Sequence, residues 1–257
     1  MFLIGESMNN VTLIQNKKSW DKAAERFFAR NPLPEYGPFA PTEDDLQLFG
    51  EVKGKRILEL GCGSGHSIKY LDGKSPSELW GLDLSHVQIQ TAKHLLAESN
   101  TSIQLFESPM EENPGIPSAY FDIVFSIYAI GWSTNLSKTL ANVFQYLNDG
   151  GLFIFSWEHP LYNRMSRQNG QLVMTKSYHE EGAYDHHAWQ EPATMQQYKL
   201  STYINLLTAS GFHIEQMIEE VCITEEDKDR HSNGWYSPDK ASLLPTSFII
   251  KCRKPNI

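Results

Sequence analysis

The chain is poor in cysteine. Cys62, Cys222 and Cys252 are scattered over 257 residues and form no CxxC pair. A disulfide framework or a thiol-based metal motif is therefore not expected. Basic residues are in deficit as well: 22 Lys and Arg stand against 31 Asp and Glu, for a net charge of −9. An acidic surface repels phosphate backbones, so no nucleic-acid partner is expected. Lys17, Lys18, Lys22, Arg26 and Arg30 gather near the start, but Asp21 and Glu25 interrupt them, as on a solvated helix face. No apolar run is long enough to span a membrane, and Met1-Phe2-Leu3-Ile4 has neither the length nor the basic flank of a signal segment. A cytoplasmic protein without a membrane partner is the expectation, with Met8 as an alternative start. Internal repeats and low-complexity tracts are absent too. Hydrophobic residues make up 40% of the chain, enough for one sizeable core, so a single domain over 1–257 is expected.

The most informative stretch is Ile57-Leu58-Glu59-Leu60-Gly61-Cys62-Gly63-Ser64-Gly65. A short apolar run breaks into three alternate glycines, where backbone can turn tightly and approach a ligand closely. Eighteen residues later a second apolar run ends at Asp83, followed by Leu84. In an open α/β sheet, ligands sit outside the carboxyl ends of the strands, and an acid there can hold the hydroxyls of a ribose. The pair predicts a nucleoside-containing ligand. The dinucleotide fingerprint G-x-G-x-x-G fits Gly61 and Gly63, but its third position falls on His66.

The spacing Glu59-Leu60-Gly61-Cys62-Gly63-Ser64-Gly65 resembles motif I of the class I S-adenosylmethionine (SAM)-dependent methyltransferases. The resemblance covers about Arg56 to Ser156 well and the last two strands loosely. It implies a doubly wound, seven-stranded, mostly parallel sheet of Rossmann-like α/β class, with an N-terminal helical segment and a lid insertion. It divides the chain into a cap (1–50), a SAM-binding core (51–157), a lid (158–196) and a closing part of the sheet (197–257). It also implies SAM as cofactor, Glu59, Gly61, Cys62 and Gly63 in its loop, and Asp83 with Leu84 at its ribose. Cys62 supplies the small residue wanted there and is read as packing, not as a nucleophile. Without a pyrophosphate to bind, the close helix approach of the third dinucleotide glycine is not required.

One departure from the family pattern stands out. Pro109 occupies the place of an acid that accepts from the adenine amino group, so that contact falls to Glu111, a backbone carbonyl or water. Met110 offers its N–H and packs on the ring. Ser126, ending the fourth strand, touches the methionine part through its backbone. Tyr128 and Trp132 either face the reacting centre, where a sulfonium favours aromatic faces, or pack in the core. Tyr36, in a proline-bracketed loop, either reaches the cofactor carboxylate or sits exposed. His159 follows the fifth strand and is the candidate acid or base. The remaining aromatics of the insertion, Tyr178, His179, Tyr184, His186, His187 and Trp189, read as a lid; their spacings match no metal pattern, and no metal is expected.

The expected function is methyl transfer from SAM to a small-molecule acceptor, by a monomer or homodimer. The alternatives are an NAD(P)-dependent oxidoreductase and a non-catalytic SAM-binding protein. Helices are expected over Asn16–Arg30, Thr42–Phe49, Gly65–Leu71, Ser85–Glu98, Leu136–Leu147 and Tyr198–Ser210. The third to fifth strands are expected near Ile103–Phe106, Phe121–Ser126 and Leu152–Ser156.

Overall fold

The structure, a computed structural model, describes residues 2–28, 31–186, 191–225, 227 and 236–256, with side chains from residue 9 onward. His187 and Trp189 lie outside the described residues.

The chain opens with α1 (Phe2–Ala23), a 3-10 turn (Ala24–Phe27) and a one-turn α2 (Glu43–Leu46). The core alternates β1 (Arg56–Leu60), α3 (His66–Asp72), β2 (Glu78–Asp83), α4 (His86–Leu95), β3 (Ser102–Glu107), β4 (Phe121–Ile127), α5 (Leu136–Tyr146) and β5 (Leu147–Glu158). Two hairpins follow: β6 (Met165–Gln168) with β7 (Gln171–Met174), and β8 (Gly182–His186) with β9 (Ala193–Gln197). Then come α6 (Leu200–Ala209), β10 (His213–Ile218), α7 (Pro238–Ala241) and β11 (Ser247–Arg253).

Seven strands form one sheet in the order β10-β11-β5-β4-β1-β2-β3. β11 runs antiparallel to both its neighbours and the others are parallel. Successive residues of each strand enter opposite cores, which is why the strands read as unbroken apolar runs. Leu58, Val124, Phe153 and Phe155 pack towards α5 and α6, whereas Ile57, Ile123, Phe125 and Ile154 pack towards α3 and α4. α5 buries Leu136, Leu140 and Val143 on one stripe, each worth about 1.5–3 kcal/mol. Ser85 caps α4 by accepting from the Gln88 N–H at 3.2 Å, and Asn135 caps α5. Thr42 and Asp45 form the expected bond at the start of α2, Thr42 N–H to Asp45 Oδ2 at 2.8 Å.

Two expectations change. The first helix begins near residue 2, not 16, and its buried face carries Asn16, Ser19 and Ala23. Those polar positions give no apolar period to read, because this helix docks through hydrogen bonds. β5 begins at Leu147, ahead of Gly150-Gly151 and of the expected start at Leu152. Phe121 pairs with Leu147 and Ile123 with Leu152, so Asn148–Gly151 bulges out of the ladder.

Chain connections run outward from β1 towards β3 and from β4 towards the opposite edge. The topological switch lies between β1 and β4, the place where open α/β sheets bind ligands, outside the carboxyl ends of their strands.

Candidate functional site

The glycine loop turns over the tip of β1 and is tied to β2. Gly61 and Cys62 N–H groups donate to the Leu82 carbonyl at 2.8 and 3.0 Å. The Gly63 N–H donates to Asp83 Oδ2 at 2.9 Å and the Ser85 N–H to Oδ1 at 2.8 Å. Burial pushes the Asp83 carboxyl up to about 6, against the pull of those two bonds.

The three glycines do different work, although all have φ between +51° and +82°. A Cβ on Gly61 would lie 2.4 Å from Ala129 Cβ and 3.2 Å from Met110 Cε. One on Gly65 would press on Ala92 and Leu96 of α4 at 3.1 Å. One on Gly63 would meet only Gln88, at 3.9 Å, so open space lies above it. At Gly65 the loop is packed closely, because α3 begins against α4. Cys62 is buried between Gly81 and Ile68; burial and the nearby Asp83 and Glu59 hold its thiol well above the ordinary range, in line with a packing role.

Around the loop sit buried polar atoms without a hydrogen-bond partner: Glu59 Oε2, Glu111 Oε2 and Ser126 Oγ. Burial raises the Glu59 carboxyl well above its ordinary value. Glu111 Oε1 accepts from the Thr134 N–H at 2.8 Å, past the end of β4. Met110 is buried against Gly61, and Leu84 is half-buried beside Asp83. An open cradle at Gly63, a carboxylate beside it and a bare buried carboxylate oxygen suit a ligand carrying ribose hydroxyls and an ammonium, as SAM does.

Tyr128 follows β4 at φ +53°, with its N–H donating to Ser156 Oγ at 3.1 Å. Its neighbour Ala129 touches Gly61, which sets Tyr128 beside the loop. Trp132 lies on the 3-10 turn Ile130–Trp132, edge-on to Trp157 at 6.2 Å and to Trp20 of α1 at 5.2 Å. α1 thus roofs this side. Its Asp21 Oδ1 accepts from Ser85 Oγ and from the Val87 N–H, and its Asn16 exchanges two bonds with the backbone of Thr194 on β9.

Two candidates do not join the cluster. Tyr36 is fully buried, and its hydroxyl donates to Glu43 Oε2 at 2.5 Å. Glu43 also accepts the Leu48 and Phe49 N–H groups, so the proline loop uses this tyrosine to lock itself. His159 Nδ1 accepts from the Leu161 N–H at 3.2 Å, which leaves Nε2–H to donate to Glu219 Oε1 at 2.7 Å. Burial lowers its pKa while Glu219 opposes the shift, and neither nitrogen is free to act as a base. In its place the end of β5 presents Glu158, bonded to Tyr236, a residue that sequence reasoning missed because it lies far along the chain among turn signals.

No group of His, Cys, Asp and Glu able to hold a metal occurs among the described residues, and no helix there is long and apolar enough to cross a membrane. A crease of about 230 Å³ lined by Lys93, Leu96, Ile103 and Leu105 lies on the α4–β3 flank, apart from these residues.

Residues 58–155 match the family described as methyltransferase domain. A Haemophilus influenzae protein described as uncharacterized is 25% identical over 96% of this chain and 99% of its own length. A Bacillus cereus malonyl-[acyl-carrier protein] O-methyltransferase is 30% identical, but the match covers 43% of this chain and only 40% of that relative. The crystal structure of a SAM-dependent methyltransferase from Mesorhizobium loti superposes with a TM-score of 0.66 at 26% identity, over 81% of this chain and 94% of that one. The glycine loop, the seven-stranded sheet and these matches show a methyltransferase domain over residues 58–155 on the class I SAM-dependent methyltransferase fold.

Proposed function

We propose that the chain transfers the methyl group of SAM to a small-molecule acceptor held between the carboxyl ends of β4 and β5 and the two hairpins. The observation that carries this reading is the open cradle at Gly63 bonded directly to Asp83. Each oxygen of Asp83 has lone pairs left over for ribose hydroxyls. The bare Glu59 oxygen takes the methionyl ammonium, Met110 packs on the adenine, and Glu111 or its backbone neighbours meet the amino group. Ser126 and Leu84 line the two ends.

SAM supplies a methyl group already activated by its sulfonium. The chain supplies orientation and exclusion of water. Tyr128 and Trp132 shape the place where the acceptor meets the methyl group, under the roof of α1. An acidic chain with an aromatic-lined crevice favours a small acceptor over a nucleic acid.

Calorimetry tests the first half: S-adenosylhomocysteine (SAH) binds and NAD does not. Tritium-labelled SAM mixed with small-molecule, protein and RNA fractions tests the second, and label is expected in the small-molecule fraction alone. Binding of NAD without SAH would replace the reading with the oxidoreductase alternative.

A further inference from the structure

A row of hydroxyls leads from Tyr128 to a buried carboxylate. The Tyr236 hydroxyl donates to Glu158 Oε2 at 2.6 Å. That uses the single proton of Tyr236, so in the 2.7 Å contact between Tyr128 and Tyr236 the donor is Tyr128. Glu158 Oε1 accepts from Asn163 Nδ2 at 2.7 Å. Both oxygens of Glu158 are acceptors, as a carboxylate requires. Tyr162 stacks on Tyr236 at 5.5 Å and 21°, fixing the middle of the row. Tyr128 is held at a positive φ, uncommon for a bulky residue, and as the donor to Tyr236 its hydroxyl oxygen keeps lone pairs for an incoming donor.

We propose that the Tyr128–Tyr236–Glu158 row receives the proton of the methyl acceptor, and that the acceptor is a hydroxyl or an amine and not a carboxylate. This rests on the methyl-transfer reading above. The acceptor lone pair forms the new bond to the methyl carbon, and the carbon–sulfur bond breaks with its electrons left on sulfur. The acceptor proton passes to Tyr128 as Tyr128 gives its own to Tyr236 and Tyr236 gives its own to Glu158. Burial holds the Tyr128 and Tyr236 hydroxyls well above the ordinary range, so both pass protons as neutral groups.

A carboxylate acceptor has no proton to give and needs no base. Two cations beside this row donate to backbone carbonyls. Buried Arg164 donates to the carbonyls of Pro160, Ser177 and Glu180, and Lys240 Nζ donates to the Tyr162 carbonyl while lying 3.8 Å over its ring. Among the described residues, Tyr128, Tyr162, Tyr184, Tyr203, Tyr236 and Lys240 are titratable groups that feel Glu158.

The test incubates the full chain with tritium-labelled SAM and a deproteinised cell extract, then treats the product with mild alkali. Esters release labelled methanol; ethers and methylamines keep the label. The expected label is alkali-stable. Tyr236→Phe and Glu158→Gln should lower kcat at neutral pH on the order of a hundredfold, with KM within about threefold and the loss shrinking as pH rises and the acceptor ionises unaided. Should Glu158→Gln fail to fold, Tyr236→Phe, which keeps the ring, decides alone. Alkali-labile label overturns the assignment, and so do variants with the wild-type pH profile. SAH binding with no labelled product overturns the methyl-transfer reading itself, and this assignment with it.

Discussion

The Gly63 N–H donates to Asp83 Oδ2 at 2.9 Å, joining the cradle of the glycine loop to the carboxylate at the end of β2. Burial pushes that carboxyl from an ordinary 3.8 up to about 6. The proton is thus held more firmly in the folded state. Its stabilising contribution is fully present below about pH 4 and is lost as pH rises through about 6. Ribose hydroxyls bond the ionised form, so cofactor affinity runs the other way.

SAH affinity should therefore fall about tenfold between pH 7 and pH 5, as the ionised fraction of Asp83 falls. Asp83→Asn should flatten that profile and weaken binding by about 1.5–3 kcal/mol at pH 7. Calorimetry at the two pH values checks both. Equal affinity in the variant would remove Asp83 from the site.

The glycines should separate by function. Gly61→Ala drives a Cβ to 2.4 Å from Ala129 and should cost about 1–3 kcal/mol of stability. Gly63→Val meets open space above the loop, so beyond about 1–2 kcal/mol of left-handed strain it should fold and lose SAH binding. Thermal melts with and without SAH distinguish the two. Equal destabilisation would mean that Gly63 is a packing residue as well.

Asn16 Nδ2 donates to the Thr194 carbonyl at 2.7 Å and its Oδ1 accepts the Thr194 N–H at 2.8 Å. This pair latches α1 to the β8–β9 hairpin over the crevice. Asn16→Ala should cost about 1–3 kcal/mol, speed exchange of the Thr194 amide and shorten SAH residence. Stopped-flow release read beside hydrogen exchange would reveal the coupling. Faster exchange with unchanged release would make the latch purely structural.

His159→Phe should act on stability. It leaves the Leu161 N–H and Glu219 unpaired, for about 1–3 kcal/mol, while turnover per folded molecule stays within about twofold. A fall of a hundredfold in kcat with an unchanged melt would return His159 to the catalytic role that its position in the sequence suggested.

Much of the core was legible because its signals are local. Strands β1 and β2 emerge on the two apolar runs read from the sequence, ending at Leu60 and Asp83, since an apolar run between turn residues needs no distant partner to identify it. The positions of Asp83 and Gly63 follow the same logic: Asp83 ends β2, Gly63 lies in the loop after β1, and a parallel sheet brings such strand ends to one edge. Tyr36 and His159 were misread because a hydroxyl or an imidazole is a candidate only until its partner is known. Glu43 and Glu219 claim them across the fold.

By itself the sequence determined the sheet, the glycine loop and the carboxylate that ends β2, all written in short-range pattern and spacing. Only the tertiary structure decided what Tyr128 and Glu158 face. Tyr236 reaches them from 108 and 78 positions away, and α1 crosses to Thr194 over 178. Contacts of that separation carry no periodic signature, because they depend on where whole elements come to rest once both faces of the sheet are buried.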